Sequence, residues 1–318
     1  LLDYWKRHVS IIQSPWICAV LSAMGRHGLM ELDISHYTPT PVDKGTAAYH
    51  SVLAAWGNRP PILALDEAHR TRGRAVLAEM GVPFDAWLVA IHAREPGFSV
   101  ENESAQAFRN SDILRLIPAI QEIRHRGGWV VRMGDPTMRP FPLMDGVVDY
   151  AVHPSRSDWM DVFLCAEACF FVGNTSGLYL LATAFGTPCA LANVIPSSHF
   201  ACAPADVSIL KLIWSDRLSR YLTFPEIFSR PVANYRFTKL FTEDGLRVDE
   251  NTDEDLRDLV VEMLDRVEGS YSETFEERAL QKQFFSLLRP WHFGHGAAGR
   301  IGARFLDRHR DLFGSGSM

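Results

Sequence analysis

The segment FFVGNTSGLYLLATAFGTPCA, residues 170–190, contains a turn of small polar residues between an apolar run and a predicted helix. Glycines in such a turn let the backbone bend tightly and approach a ligand closely. The polar side chains can donate hydrogen bonds, and the helix would offer free N–H groups and the positive end of its dipole to an anion. The turn comprises Gly173, Asn174, Thr175, Ser176 and Gly177. Its pattern is typical of a phosphate or diphosphate site, although an ordinary strand–turn–helix capped by Ser or Thr explains the motif, taken alone, at least as well.

Two arginines stand near the ends of other predicted strands. Arg132 lies in VVRMGD, and Arg94 lies in IHAREPGF beside His92 and Glu95. A guanidinium keeps its charge at any relevant pH and suits a phosphate, and a histidine can act as an acid, a base or a hydrogen-bond donor to phosphate. The alternatives are a salt bridge at the surface for Arg132 and a structural ion pair between Arg94 and Glu95.

Polar residues also follow the remaining predicted strands. Gly134, Asp149 and Asn193 stand at or just beyond strand ends. In open α/β sheets, ligands bind outside the carboxyl ends of the strands. These residues are therefore expected to converge with the two arginines and the GNTSG turn on one edge, and that convergence favours a binding site over a simple capped turn.

Strands and helices alternate in the predicted elements. Apolar runs predict strands at 60–65, 86–94, 129–134, 145–152, 169–173 and 188–193. Helices are predicted at 70–83, 113–127, 158–168, 176–186, 252–269 and 296–312, and an irregular section at 194–225. Continuously apolar strands indicate a parallel sheet that is covered on both faces. The alternation predicts an α/β fold with a doubly wound, Rossmann-like parallel sheet. Thr252 is the predicted N-cap of its helix, with Asp255 three residues later.

The composition fits a soluble globular protein, with 318 residues, 47% hydrophobic residues and a formal net charge of −6. The negative charge argues against non-specific nucleic-acid binding, and no apolar run approaches the roughly 18 residues of a membrane span. Five cysteines in a long chain argue against a disulfide framework and favour a reducing, cytoplasmic location. The chain starts at Leu1 within the amphipathic pattern LLDYWKRHVSIIQ, which predicts a longer protein.

Several segments together resemble a family of bacterial glycosyltransferases with a GT-B-type nucleotide-binding domain. The resemblance covers roughly residues 86–265 and rests on IHAREPGF, WVVRMGDPTM, VVDYAV and FFVGNTSG in that order. Weaker likenesses lie in ILKLIW, around Lys211, and in IGARFLDRH near the end of the chain. FFVGNTSG is also similar to the phosphate loop of heptosyltransferase-like and fucosyltransferase-like GT-B enzymes.

The resemblance implies two Rossmann-like domains that face a cleft. It divides this chain into a partial N-terminal α/β domain on the acceptor side (1–85), a Rossmann-like nucleotide-sugar-binding domain (86–292), and a C-terminal helix that crosses back, with a flexible end (293–318). The implied partners are a nucleotide-sugar donor and a glycan, lipid-linked or small-molecule acceptor. Neither nucleic acid nor a transmembrane segment is expected, and contact with the membrane surface is left open.

The implied reaction is metal-independent glycosyl transfer with inversion at the anomeric carbon. No cofactor is expected, because the nucleotide-sugar is a co-substrate, and no metal is expected, because no DxD motif stands in a convincing strand-end context. His92 and Glu95 are the catalytic candidates. The donor and its phosphates are expected to bind Arg94, Arg132, Gly134, Asp149, Gly173, Asn174, Thr175, Ser176, Gly177, Asn193 and Lys211.

Two other functions fit the same sequence features. A sugar-nucleotide epimerase or hydrolase would share the phosphate site without needing a separate acceptor cleft. A non-catalytic nucleotide-binding module of a larger protein would share the fold, since a fold does not determine a function.

Overall fold

A computed structural model describes residues 63–97, 103–199, 203–289 and 292–314, together with 16, 31–32, 40–41, 55–57 and 59–61. The chain divides into two compact units, Leu1–Leu63 and Ala64–Met318. In the first unit, Glu31–Leu32 (β1) pairs antiparallel with Thr40–Pro41 (β2). The helix predicted from the pattern LLDYWKRHVSIIQ lies outside the described residues, and the division at 85 and 292 stays a prediction.

The second unit contains a large parallel sheet and a small antiparallel one. Its strands are Leu88–His92 (β3), Trp129–Arg132 (β4), Val147–Asp149 (β5), Phe170–Gly173 (β6), Cys189–Val194 (β7), Val207–Leu210 (β8), Leu212–Ser215 (β9), Arg220–Tyr221 (β10), Leu246–Asp249 (β11) and Arg300–Ile301 (β12). The seven-stranded sheet has the order β12-β8-β7-β6-β3-β4-β5, and all of its neighbouring strands are parallel. β9 pairs antiparallel with β10 and with β11. The predicted α/β fold with a parallel sheet is confirmed.

Helices pack around the large sheet. They are Glu67–Glu79 (α1), Glu103–Gln106 (α2), Ile117–His125 (α3), Asp158–Glu167 (α4), Gly177–Ala184 (α5), Phe224–Phe228 (α6), Thr238–Glu243 (α7), Asp253–Val267 (α8), Phe275–Ser286 (α9) and Ala303–Arg308 (α10). α3 packs against α8, and α4 packs against α5 and α1. β3, β6 and β7 are buried over their full length, which explains why their sequences are continuously apolar.

Side-chain caps fix the start of two long helices. The hydroxyl of Thr252 accepts a hydrogen bond from the Asp255 backbone N–H at 3.1 Å, and the Asp255 carboxylate accepts one from the Thr252 N–H at 3.0 Å. This capping box confirms the predicted start of α8. Asp66 caps α1 by accepting from the His69 N–H at 2.8 Å. The predicted strand at 60–65 is wrong, because its described residues form an irregular segment that leads into this cap.

The predictions for the last third of the chain need correction in two places. The section at 194–225, predicted to be irregular, contains β8, β9 and β10. These strands have two to four residues and are too short to show a clear period. The single helix predicted at 296–312 is instead β12, α10 and a 3-10 turn at Arg310–Phe313. Gly302 separates β12 from α10 and lies so close to Ile209 that a Cβ atom would be 2.8 Å from its side chain.

None of the helices in the described ranges has both the length and the apolar character needed to cross a lipid bilayer. Cys165, Cys169 and Cys189 are free thiols, and burial raises the pKa of each. Cys18 and Cys202 lie outside the described residues.

Candidate functional site

The strand order of the large sheet reverses between β3 and β6. β4 and β5 lie on one side of β3, while β6, β7 and β8 lie on the other. In doubly wound sheets, this reversal opens a crevice at the carboxyl ends of the strands. His92 at the end of β3 pairs in register with Gly173 at the end of β6. The HARE and GNTSG segments therefore leave adjacent strands at this crevice.

Gly173 allows β6 and β3 to approach each other closely. A Cβ atom at this position would lie 2.6 Å from the carbonyl oxygen of His92 and 2.8 Å from the ring of Phe171. Any side chain here would push the strands apart, so Gly173 has a structural role in the sheet.

The side chains of Asn174 and Thr175 are engaged within the protein, and their predicted contact with phosphate stays a prediction. The Asn174 amide oxygen accepts from the Arg94 N–H at 2.9 Å. Its amide nitrogen donates to the Ser111 hydroxyl at 2.8 Å and to the Arg109 carbonyl at 3.2 Å. The Thr175 hydroxyl donates to the Ile195 carbonyl at 3.3 Å. These bonds hold the loops after β3, β6 and β7 together around the crevice.

Ser176 and Gly177, by contrast, are open to a ligand. Ser176 is the N-cap residue of α5, and its side chain makes no capping hydrogen bond. Its buried hydroxyl has no hydrogen-bond partner among the described residues. A Cβ atom built on Gly177 meets nothing within 4 Å. The N-terminus of α5 therefore faces empty space, as the phosphate-site hypothesis requires.

Three arginines around the crevice lack a carboxylate partner within the described part of the chain. Arg94 donates to the Gln106 carbonyl at 3.2 Å and to the Asn110 side-chain oxygen. Arg109 donates to the Gln106 side-chain oxygen at 3.2 Å and to the Thr175 carbonyl. Arg236, the third, is exposed. Burial lowers the pKa of Arg109, and the nearby charge of Arg94 lowers it further. The positive charge of these groups is available to an anion.

Arg132 has the opposite environment, and its predicted contact with phosphate stays a prediction. The side chain is fully buried. Its guanidinium donates to Glu95 at 2.9 Å and to Asp149 at 2.9 Å. Asp149 also accepts a hydrogen bond from the Phe141 N–H at 2.7 Å, so both of its carboxylate oxygens are bound within the protein. Arg132 is a structural cation that orients Glu95, because its charge is already balanced by two carboxylates.

A cavity of about 390 Å³ lies on one side of the α5 N-terminus and is called the carboxylate cavity here. Its lining includes three carboxylates, Glu95, Asp135 and Asp161, and three arginines, Arg94, Arg109 and Arg156, together with His92, Gly134, Ser176 and Gly177. Oδ2 of Asp135 and Oδ1 of Asp161 are buried and have no hydrogen-bond partner among the described residues. Two such oxygens are well suited to accept hydrogen bonds from hydroxyl groups.

The two catalytic candidates, His92 and Glu95, both reach the carboxylate cavity. His92 donates from Nδ1 to the Met133 carbonyl at 3.2 Å, since a carbonyl can only accept. Burial lowers the pKa of His92 to about 4, so the ring is neutral at pH 7. Burial raises the pKa of Glu95, although Arg132 opposes that shift. Burial also raises the pKa of Asp161. Glu95 and Asp161 are therefore more basic than ordinary carboxylates.

Gly134 lines the carboxylate cavity. A Cβ atom there would lie 2.2 Å from the Met138 sulfur, so the loop after β4 packs tightly only with glycine at this position.

The structure does not bring Asn193 and Lys211 to the same cavity. Asn193, in the left-handed region at φ 52°, exchanges two hydrogen bonds with Asn251, at 2.6 and 2.7 Å. Lys211 is buried and donates to the Asn110 carbonyl at 2.5 Å. Burial lowers the pKa of Lys211 to about 8. These residues hold neighbouring loops in place, and the prediction that they bind the donor stays a prediction.

A second cavity, of about 450 Å³, lies on the other side of the α5 N-terminus and is called the aromatic cavity here. It shares Arg109, Ser176 and Gly177 with the carboxylate cavity. The rest of its lining is mostly apolar, with Arg236 and His199 as further basic residues: Gln106, Phe108, Thr175, Tyr179, Leu180, Ile195, Pro196, His199, Arg236 and Phe237. The α5 N-terminus therefore stands at the junction of two chemically different spaces.

Sequence reasoning missed several residues that line the two cavities. Arg109 and Arg236 lie in segments without regular periodicity, 107–109 and 235–237. Asp161 lies in the first turn of α4 and looks like an ordinary helix-start acid. The signal that could have identified Arg109 is its position in FRNSD, in the loop that leaves β3, because that loop borders the crevice in a doubly wound sheet.

Comparison with family models, with curated proteins and with solved structures gave no match. Within the described ranges, no group of three or more His, Cys, Asp or Glu side chains could hold a metal ion.

Proposed function

We propose that this protein is a glycosyltransferase of the GT-B type and that it binds the diphosphate of a nucleotide-sugar at the N-terminus of α5. The observation that carries this proposal is the open end of α5 between three arginines without carboxylate partners in the described chain. The buried Ser176 hydroxyl and the open space beside Gly177 add a donor and room for the ligand. A helix N-terminus and guanidinium groups together suit a group with two or more negative charges.

The carboxylate cavity is suited to the hydroxyl-bearing part of the donor. Asp135 and Asp161 each offer a buried carboxylate oxygen that lacks a partner among the described residues. A buried acceptor without a donor is costly, and sugar or ribose hydroxyls would supply the missing donors. Such a ligand would place its phosphates at Ser176 and its hydroxyls against these two carboxylates, because the same cavity reaches both.

In the proposed reaction, an acceptor hydroxyl oxygen forms a bond to the anomeric carbon of the donor sugar. The bond from that carbon to the diphosphate oxygen breaks, and its electron pair leaves with the diphosphate. The hydroxyl proton passes to a carboxylate, for which Glu95 and Asp161 are the candidates because their pKa values are raised. Charge that develops on the leaving group is stabilised by Arg94, Arg109 and the N–H groups of α5. A single displacement of this kind inverts the anomeric centre.

A ligand panel tests the binding step. Purified protein is heated with UDP, GDP, ADP, dTDP or CMP, and the melting temperature is recorded. A ligand at 100 times its Kd stabilises a folded protein by about 2.7 kcal/mol, so at least one nucleotide is expected to give a clear increase. The increase should be much smaller in Arg109→Ala and unchanged in Arg72→Ala, whose arginine stacks on Trp159 in α4. If none of the five nucleotides raises the melting temperature, the proposal fails.

Product analysis then separates transfer from the alternatives. Nucleotide release that depends on an acceptor supports glycosyl transfer, whereas release in water alone indicates a hydrolase. An isomerised donor indicates an epimerase, and tight binding without any turnover indicates a non-catalytic module.

A further inference from the structure

The aromatic cavity differs from the carboxylate cavity in both charge and surface. No carboxylate belongs to its lining, whereas Arg109 and Arg236 do. Two of its apolar residues, Leu180 and Phe237, are 57% and 53% exposed. Apolar side chains that stay exposed around a basic pocket are costly to hydrate, and a ligand that covers them gains about 25 cal/mol per Å² of apolar surface. The lining is thus complementary to a molecule with one anionic end and an apolar body.

His199 holds Arg236 in the cavity wall. The guanidinium of Arg236 can only donate, so Nε2 of His199 accepts its hydrogen bond at 2.9 Å. Nδ1 of the ring then carries the proton and donates to the Ser198 hydroxyl at 3.1 Å. Ser198 in turn donates to the Asn234 side-chain oxygen at 2.6 Å. The ring also stacks on Phe293 with centroids 4.9 Å apart.

This chain of hydrogen bonds has a consequence for the charge in the cavity. Both ring nitrogens of His199 are used, and burial lowers its pKa to about 4, so the ring is neutral at pH 7. A neutral imidazole fixes the position of the guanidinium without cancelling its charge, as a carboxylate in the same place would do. Arg236 is therefore oriented and still fully available to an anion.

We propose that the aromatic cavity binds the second substrate, and that this substrate carries a phosphate or carboxylate group joined to an apolar body. The role as second substrate rests on the proposed function, whereas the binding chemistry rests on the cavity alone. The donor's diphosphate and this second anion would lie on either side of Arg109, which lines both cavities. The acceptor of the transfer is then an amphipathic anion, not a neutral oligosaccharide.

Calorimetry with three small probes tests the proposal. n-Octyl phosphate has both features of the expected ligand, inorganic phosphate lacks the apolar body, and n-octyl glucoside lacks the charge. The two octyl compounds are used below the concentrations at which they form micelles. We expect n-octyl phosphate to bind at least about tenfold more tightly than either control, since one charge-assisted hydrogen bond or a partly buried alkyl chain each contributes that much.

Two variants at exposed positions assign the binding to the cavity. Arg236→Ala is expected to lower the affinity for n-octyl phosphate about tenfold and to leave the affinity for n-octyl glucoside unchanged. Phe237→Ala is expected to lower the affinity for n-octyl phosphate and to leave the affinity for inorganic phosphate unchanged. Arg217→Ala removes an exposed arginine in the turn after β9, away from the cavity lining, and should change none of the three.

The outcomes separate this proposal from the proposed function. Equal binding of n-octyl phosphate and n-octyl glucoside, or insensitivity to Arg236→Ala, overturns it. A third combination of results also overturns it: Phe237→Ala weakens the binding of a nucleoside diphosphate, and that nucleotide displaces n-octyl phosphate. The nucleobase would then occupy the cavity. If none of the nucleotides binds and the n-octyl phosphate results are as expected, the proposed function is refuted and the amphipathic anion site is supported.

Discussion

Arginines at the start of α8 and arginines at the start of α5 have opposite surroundings. Arg308 reaches from α10 to the first turns of α8, where it contacts Glu254 at 3.0 Å, Asp258 at 2.6 Å and also Asp255. Arg109, beside α5, has only carbonyl and amide oxygens as partners in the described chain. The first arrangement balances its own charge and holds two helices together. The second leaves a positive charge that a ligand can balance, and this difference separates structural arginines from binding ones.

Arg132 resembles Arg308, since carboxylates balance its charge. Its removal should have the largest effect on the free energy of unfolding. Arg132→Met leaves Asp149 without a cation among the described residues and leaves the buried Glu95 with only the half-exposed Arg139, 3.6 Å away. Breaking a buried ion pair in this way costs about 3–5 kcal/mol. Urea unfolding of the variant should show a loss of this size in the free energy of unfolding.

The matched control for this experiment is Arg72→Met, which removes an exposed arginine without a carboxylate partner in the described chain. Its loss in the free energy of unfolding should be far smaller. A loss below about 1 kcal/mol in Arg132→Met would place Arg132 among solvated surface charges instead.

Lys211 is a buried cation whose only described hydrogen-bond partner is a carbonyl, and this predicts a pH effect. Its pKa is 10.5 in an ordinary environment and about 8 in the folded protein, mainly through burial. Between these values the unfolded chain binds more protons, so folding becomes more favourable as the pH rises. The difference in the free energy of unfolding between the natural protein and Lys211→Met should therefore shift by on the order of 3 kcal/mol in favour of the natural protein between pH 8 and 10.5.

Urea unfolding of both proteins across this pH range measures the difference. A constant difference across the range would show that Lys211 has an ordinary pKa and is hydrated in the folded state.

No carboxylate in the described chain balances the charge of Arg109, so its removal should affect ligand binding much more than the free energy of unfolding. Arg109→Ala loses two charge-assisted hydrogen bonds to a diphosphate at the α5 N-terminus. We expect nucleoside diphosphate affinity to fall on the order of 30-fold, while the free energy of unfolding changes by less than about 1 kcal/mol. Calorimetry and urea unfolding of the same preparation check both values, and the reverse pattern would assign Arg109 to the structural group.

Gly177→Ala makes the smallest and most local change. Apart from its chain neighbours and the backbone of its own helix, the added methyl group has no protein atom within 4 Å, and alanine favours a helix over glycine by about 1 kcal/mol. The melting temperature should therefore stay the same or rise. Nucleoside diphosphate affinity should nevertheless fall about tenfold, because the methyl group projects toward the expected phosphate position. Unchanged affinity would move the phosphate away from the start of α5.

The fold was largely predictable because its central strands are buried on both faces and therefore read as continuous apolar runs. The capping box at Thr252 was predictable for a similar reason, since both of its partners lie within one turn. The two-residue strands β10 and β12 were not, because they are too short to show a period. The partner of β12 is moreover β8, more than 90 residues earlier in the chain.

The candidate site was predictable in position and less so in detail. The GNTSG turn and the residues after β3 do meet at the crevice, because parallel strands place their carboxyl ends together. The partners of each charge were not predictable. Arg132 and Arg109 look alike in a sequence, and only the distances to Glu95 and Asp149 show that one of them is already balanced. The lining of the aromatic cavity comes from segments more than 100 residues apart, from Gln106 to Phe237.

Asn174, in the turn after β6, holds two points of the connection between β3 and α3, the Arg94 N–H and the Arg109 carbonyl. One amide therefore sets the spacing between two guanidinium groups. For protein engineering, this means that neither arginine can be moved by altering the connection between β3 and α3 alone. A library that aims to change which anion the protein accepts would vary position 174 together with the residues around 94 and 109, and would treat them as a single adjustable unit.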